Sequence, residues 1–229
     1  MTITTTTLTK ASAVAAAAAG LLFIAVQVKH PSLDVAFTTT TEWKVRESIK
    51  VLFAALSLAG IAGMYLRQVR KTGVLGLLGY VLFSVGYLAM MSVEVVGAVV
   101  LPSIAQRSPG YVSDVLTVAT GGHAAGDVGL MQPLNAVMAI GFLGGGLLFG
   151  IALFRANVLA RWAAALLAVA SVATAARAVL PQLNERLFAI PFGIALIGLG
   201  YSLWREKDIP ATASVPSTVS SQLDPAGSK

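Results

Sequence analysis

The chain alternates long apolar runs with short polar or basic stretches. Six runs can be read, about Ala11 to Val28, Ser48 to Leu66, Gly73 to Leu101, Met131 to Phe154, Val158 to Leu180, and Leu187 to Trp204. A helix that crosses a bilayer needs about 20 apolar residues, so each run predicts one transmembrane helix. The expected fold class is all-α, a polytopic bundle of about six helices. The third run exceeds one crossing, which implies tilt or a helix end standing proud of the lipid. Pro102 and Pro181 are expected to mark helix ends, because proline disfavours helical backbone in the residue before it. Pro191, near the start of the sixth run, is a candidate kink. The Ala-rich first run has a rival reading as a cleaved signal peptide, but no small-x-small site follows it around Val26-Gln27-Val28-Lys29. The domain organisation is then a transmembrane domain over 1–204 and a tail over 205–229, whose Ser, Thr, Pro and Ala content favours disorder.

Composition sharpens this picture. Of 229 residues 56% are hydrophobic and 11% charged, with a mean hydropathy of +0.81, whereas a soluble domain carries about a quarter charged residues. A large extramembrane catalytic domain is excluded. The chain has no cysteine and two histidines, His30 and His123, which excludes disulfides, thiolate nucleophiles and iron-sulfur clusters and leaves little from which to build a metal centre. No metal and no organic cofactor is expected. The net charge of +6 has a topological explanation rather than a nucleic-acid one. Lys10, then Arg67, Arg70 and Lys71, then Arg155 and Arg161, then Arg205 and Lys207 fall on alternate connections, which the positive-inside rule places in the cytoplasm. The expectation is a multi-pass protein of the cell membrane with both termini cytoplasmic. The inner side then holds nine basic residues and three acids, and the outer half seven of each. Apart from the tail, every acid lies in the outer half.

Among those acids Glu94 is the most informative. It precedes Pro102 by eight residues, about 12 Å along a helix, inside an apolar run. An ionisable group there costs several kcal/mol unless neutralised, paired or hydrated, and by default marks a functional site. Desolvation favours the protonated carboxyl, so Glu94 is a candidate acid. At about 100° per residue, Tyr80, Phe83, Tyr87, Met91 and Glu94 share one helix face, a stripe able to line a cavity and face a carbocation. The competing reading is ordinary helix packing, with Glu94 answering a basic partner. Arg177, four residues before Pro181, is the natural candidate for that partner, and such an ion pair would make Glu94 a poor acid.

Before the second run, Glu47 and Lys50 are i, i+3 neighbours, and Arg46 meets Lys50 as a like charge at i, i+4. This end is expected to be hydrated and interfacial, with Trp43 as an aromatic-belt anchor, against the alternative that Arg46 and Lys50 hold an anionic or polar substrate head. The long outer connections, Lys29 to Glu47 and Pro102 to Leu130, are candidate lids. In the second, Gly121-Gly122-His123-Ala124-Ala125-Gly126-Asp127 sets an imidazole near a carboxylate, so Asp127 and Glu47 are candidates to tune or reload a proton. Gln132 and Asn135 are candidate hydrogen-bond partners for a ligand, as is Arg177 for its polar end. The pairs Gly141/Gly145 and Gly146/Gly150 predict close helix contacts. The repeat of Gly20-Leu21-Leu22-Phe23 at Gly146-Leu147-Leu148-Phe149 is too short to establish an inverted repeat. The chain contains no phosphate loop, serine-hydrolase elbow, zinc-protease helix or dinucleotide fingerprint.

The segments Glu42-Trp43-Lys44-Val45-Arg46-Glu47-Ser48, Gly79-Tyr80-Val81-Leu82-Phe83, Ala98-Val99-Val100-Leu101-Pro102 and Leu147-Leu148-Phe149-Gly150-Ile151-Ala152-Leu153-Phe154-Arg155 resemble those of small actinobacterial integral-membrane proteins. Among these are the membrane-bound terpene cyclases of indole-sesquiterpenoid and related meroterpenoid pathways. The resemblance implies that a membrane carboxyl protonates a prenyl olefin or epoxide without metal. The leading expectation is therefore a cyclase acting on a lipophilic isoprenoid substrate. Its candidate acid is Glu94, Tyr80, Phe83, Tyr87 and Met91 would shape the chain, and Gln132, Asn135 and Arg177 would orient the polar end. The bilayer and a lipophilic small molecule are the expected partners, and nucleic acid is not. The rival class is a small transporter or membrane accessory protein with Glu94 in a structural ion pair. A transporter needs a polar route to both faces, whereas the intramembrane ionisable residues here cluster in one half.

Overall fold

A computed structural model describes residues 4–27, 33–173 and 189–205. Among the described residues every regular element is helical. They are α1 (Thr5–Gln27), α2 (Val35–Thr38), α3 (Thr41–Val95), a π-turn (Val96–Val100), α4 (Leu101–Ile104), α5 (Pro109–Ala119), α6 (Met131–Ile140), a second π-turn (Gly141–Gly145), α7 (Gly146–Ala156), α8 (Arg161–Ala173) and α9 (Ala189–Arg205). Three continuous helices, Thr5–Gln27, Thr41–Ile104 and Met131–Ala156, are long and apolar enough to cross a membrane, and α8 and α9 are shorter apolar helices. Arg177, Pro181, the connection over 181–186 and positions 206–229 of the tail lie outside the described residues. Arg205, expected to open the tail, ends α9.

The second and third apolar runs are joined without a loop. Helix α3 folds back on itself where Gln68 (φ −132°, ψ 21°) and Gly73 (φ 57°, ψ −156°) leave helical geometry, the latter a conformation that favours glycine. Pairings along the hairpin fix its antiparallel register. Tyr65 stacks on Tyr80 at 4.6 Å, Phe53 meets Tyr87 edge-on at 5.7 Å, and Lys50 reaches Glu94 at 3.3 Å.

Pro102 does not end its helix, contrary to expectation. The preceding π-turn shifts the hydrogen-bond pattern, so the proline falls in the first turn of α4, where its missing N–H costs nothing. Pro191 lies within α9, two residues from the start of its described part. The expected loop over 102–130 contains α5, and its Gly-rich end is clamped by Asp114, whose Oδ1 and Oδ2 accept from the N–H groups of Ala125 (3.0 Å) and Gly126 (2.9 Å).

Helix α1 packs between α9 and α3, α3 packs on α7, and α7 and α9 both contact α8. The main core gathers Phe53, Phe83, Tyr87, Phe149 and Phe192, while a second cluster around Trp43, Val93, Val112 and Val115 closes the end of the bundle that carries Glu94. Small residues permit the closest approaches: a Cβ on Gly86 would lie 2.6 Å from the Gly141 carbonyl carbon.

Candidate functional site

Three charged side chains meet where the two arms of α3 converge. Lys50 and Glu47 sit one turn apart on the first arm, and Glu94 faces them from the second. Lys50 Nζ donates to Glu47 Oε1 at 2.6 Å and lies 3.3 Å from Glu94 Oε2. The side chains of Glu47, Glu94 and Lys50 are 4%, 16% and 20% exposed. Charge burial of this kind is tolerable only with partners in place, and here two carboxylates share one ammonium. With all three ionised the cluster carries one excess negative charge.

Backbone geometry makes room for the cluster. The π-turn after α3 carries Gly97, where an added Cβ would lie 3.0 Å from Glu47 Oε2. The Trp43 indole N–H donates to the Gly97 carbonyl at 2.8 Å, tying the start of the first arm to the end of the second. Turns of this type leave backbone carbonyls poorly matched within the helix, and this one is held from across the hairpin. Trp43 is 3% exposed, so it is a buried clasp rather than the expected belt anchor. Arg46 donates to Glu42 Oε1 at 2.9 Å and to the Val26 carbonyl in the last turn of α1 at 2.8 Å, a favourable place for a cation. Neither Arg46 nor Lys50 is thus arranged to grip an anionic head, and Glu47 is buried instead of hydrated.

The cluster borders a cavity of about 580 Å³ between α1, α3, α5 and α6, within the range of small-molecule sites. Its walls include Phe23, Trp43, Phe53, Met90 and Val93 on the apolar side and Glu47, Lys50, Glu94, Thr120 and Asn135 on the polar side. Asn135 is 8% exposed. Its Nδ2 donates to the Met131 carbonyl at 2.9 Å, and its Oδ1 has no hydrogen-bond partner.

Of the residues singled out from sequence, the fold brings Trp43, Glu47, Lys50, Glu94 and Asn135 to this cavity. The stripe of Tyr80, Phe83, Tyr87 and Met91 does not line it. Phe83 and Tyr87 are fully buried in the main core, with Tyr80 and Met91 packed against it. The helix face that carries the stripe is consumed by contact with the first arm and with Phe142, Phe149 and Phe192. Asp127 stands on an exposed loop, where it accepts from the Gly129 N–H at 2.8 Å, and Gln132 is 2.7 Å from His123 Nδ1. Neither borders the cavity. Lys50 is the described basic partner of Glu94, while Arg177, expected in that place, is outside the described residues.

Of the aromatic residues that line the cavity, sequence reasoning singled out Trp43, as an anchor, and gave no site role to Phe23 and Phe53. Phe23 belongs to an ordinary apolar stretch, and Phe53 lies one helical turn beyond Lys50 at the start of another. No protein-family profile matches the chain, and neither a curated protein nor a solved structure matches it.

Proposed function

We propose that this chain is a multi-pass membrane enzyme that cyclises a lipophilic prenylated substrate by protonation, with Glu94 and Glu47 holding the proton. The observation that carries the reading is a pair of carboxylates, Glu47 buried and Glu94 partly exposed, at the rim of a cavity faced by Phe23, Trp43 and Phe53. Aromatic faces attract cations, and a site with few polar groups protects a carbocation from water. In the proposed reaction a carboxyl proton adds to an olefin carbon or an epoxide oxygen of the substrate, and the electron-poor carbon that results is attacked by an internal double bond. A proton is then lost to a base, so substrate and product are isomers. Lys50 balances the carboxylate left behind. The proton is the only catalyst this scheme draws on.

The hairpin of α3 supports a bundle of six crossings. Its arms, 41–67 and 74–95, run antiparallel, and at 1.5 Å per residue the first is about 40 Å long. With α1, α6–α7, α8 and α9 they make six apolar units. Arg67, Arg70 and Lys71 at the bend, Arg155 and Arg161 between α7 and α8, and Arg205 at the end of α9 support a cytoplasmic assignment for that side and for both termini in the cell membrane. The Glu94 cluster would then lie toward the outer leaflet.

A second reading has its own support in the short Lys50 contacts. A closed Glu47–Lys50–Glu94 cluster is what a structural ion pair of a small transporter or accessory protein would look like. One comparison separates the two. Wild type and Glu94→Gln are expressed in membranes, supplied with prenylated aromatic substrates, and assayed for cyclised isomers by mass spectrometry and NMR. Product from the wild type, with at least about a hundredfold loss in the variant, is the expected outcome for an acid catalyst. Equal turnover by Glu94→Gln would remove Glu94 from the chemistry.

A further inference from the structure

A separate groove of about 570 Å³ runs between α7 and α8, with Leu147, Ile151 and Phe154 along one side and Ala165, Val169 and Val172 along the other. Ile151, Val169 and Val172 are exposed, so the groove lies on the outside of the bundle. Each side leads, one helical turn on, to an arginine. Arg155 follows Ile151 by four residues, Arg161 precedes Ala165 by four, and residues four apart share a helix face. The Arg161 guanidinium lies 4.1 Å from the centroid of the Phe154 ring, so the apolar side chain at that end of the groove carries a cation on its face. Both arginines are exposed, and among the described residues no carboxylate lies within 4 Å of either. Arg161 also opens α8, the positive end of a helix dipole, where a cation is disfavoured and an anion favoured. Counted over the whole sequence, Lys10, the α3 bend, the α7–α8 connection and the segment from Arg205 onward hold nine basic residues against three acids. The excess of positive charge here therefore survives every acid of the tail.

We propose that this groove holds one acyl chain of an anionic phospholipid, with the headgroup phosphate at Arg155 and Arg161. The guanidinium fork matches the geometry of phosphate oxygens, and an anionic headgroup adds the net negative charge that a zwitterionic one lacks. Length favours a lipid chain over a helix. From Ala165 to Ala173 the groove follows eight residues of α8, about 12 Å, whereas the hydrocarbon core is about 30 Å thick. That is the depth of one leaflet, on the side of the arginines. Charge disfavours a second copy of the chain, because a copy in the same orientation brings its own arginines to this level. This inference goes beyond cyclisation and does not rest on it.

Native mass spectrometry counts the lipid directly. The full chain, stripped of lipid in a neutral maltoside detergent, is titrated with dioleoyl phosphatidylglycerol and, in parallel, with dioleoyl phosphatidylcholine. One phosphatidylglycerol is expected to be retained at about tenfold lower concentration than phosphatidylcholine, the attraction of basic side chains for an anionic headgroup. Equal midpoints, in a comparison that needs no substitution, overturn the proposal. Arg155→Gln/Arg161→Gln should bring the two lipids to the same midpoint. Arg70→Gln/Lys71→Gln, which removes as much charge at the α3 bend, should leave the preference in place. A preference lost in both variants, or kept in both, means general surface attraction and overturns the site. Ala165→Phe places a ring in the groove and should raise the phosphatidylglycerol midpoint at least about tenfold, and an unchanged midpoint removes the groove from recognition. Glycerol 1-phosphate, the same anion without chains, should displace no lipid at matched concentration, and displacement would reassign the arginines to a free phosphate. A stripped wild type that is dimeric where Ala165→Phe is monomeric would give the groove to a second copy and overturn the lipid. Selective retention without cyclised product sinks the cyclase reading alone, and cyclised product without selective retention sinks this one alone.

Discussion

Lys50 decides what the two carboxylates can be. Removing one member of a buried charge cluster leaves the others uncompensated, which costs more than the cluster contributes when intact. Lys50→Met is therefore expected to lower stability by about 2–3 kcal/mol, discounted for the partial exposure of Lys50 and Glu94, read as a fall in thermal midpoint in detergent. Adding Glu94→Gln to that variant should recover most of the loss, since the neutral amide removes one of the two unpaired charges. A double variant no more stable than the single would mean that Lys50 acts through packing rather than charge. Glu94 stands out in the sequence because a carboxylate in an apolar run is costly wherever it ends up. Its partner does not stand out. Lys50 is 44 positions away in sequence and reads as an interfacial charge beside Arg46. Which basic residue meets Glu94 depends on the bend at Gln68–Gly73 and on the register it imposes, and neither is written in local composition.

At the scale of the element, the apolar runs mark where helices form because each has the length and hydropathy of a helix, but they do not reveal how helices join or which face each presents. The α3 hairpin reverses direction through a few non-helical backbone angles in a stretch whose basic residues mark only a connection. In a chain with apolar residues on every face, periodicity does not separate a cavity wall from a packed core. The Tyr80–Phe83–Tyr87 stripe could serve either, and neighbouring rings from α6 to α9 claim it. The glycines are more legible, because small residues four apart predict close approach. Gly141 and Gly145 meet Gly86 and Phe83 of α3, and Gly146 and Gly150 meet Ser171 and Ala168 of α8. Gly86→Val should push α3 away from the second π-turn and cost about 1–3 kcal/mol, measured by thermal unfolding, whereas Gly110→Ala, where an added Cβ meets nothing within 4 Å, should be neutral. Similar midpoints for the two variants would show that the α3 contact is less tight than its geometry implies.

For the whole molecule, the absence of cysteine provides a clean route to topology. Gln106→Cys and Lys71→Cys each introduce a single thiol, at opposite ends of the second α3 arm and its continuation. A membrane-impermeant maleimide applied to intact cells should label position 106 and not position 71 until the membrane is permeabilised. The reverse pattern would invert the assignment of sides. The α3 hairpin also bears on how such a chain reaches the bilayer. Trp43, Glu47, Lys50, Glu94 and Gly97 all belong to the continuous stretch 41–100, so the pairing of Lys50 with its two carboxylates is made within that stretch. During synthesis the two arms can leave the insertion machinery together with these charges already paired, before α6 to α9 have been made. The lipid then meets a closed pair of helices instead of three separate charges, and the later helices close around a polar centre that is already assembled.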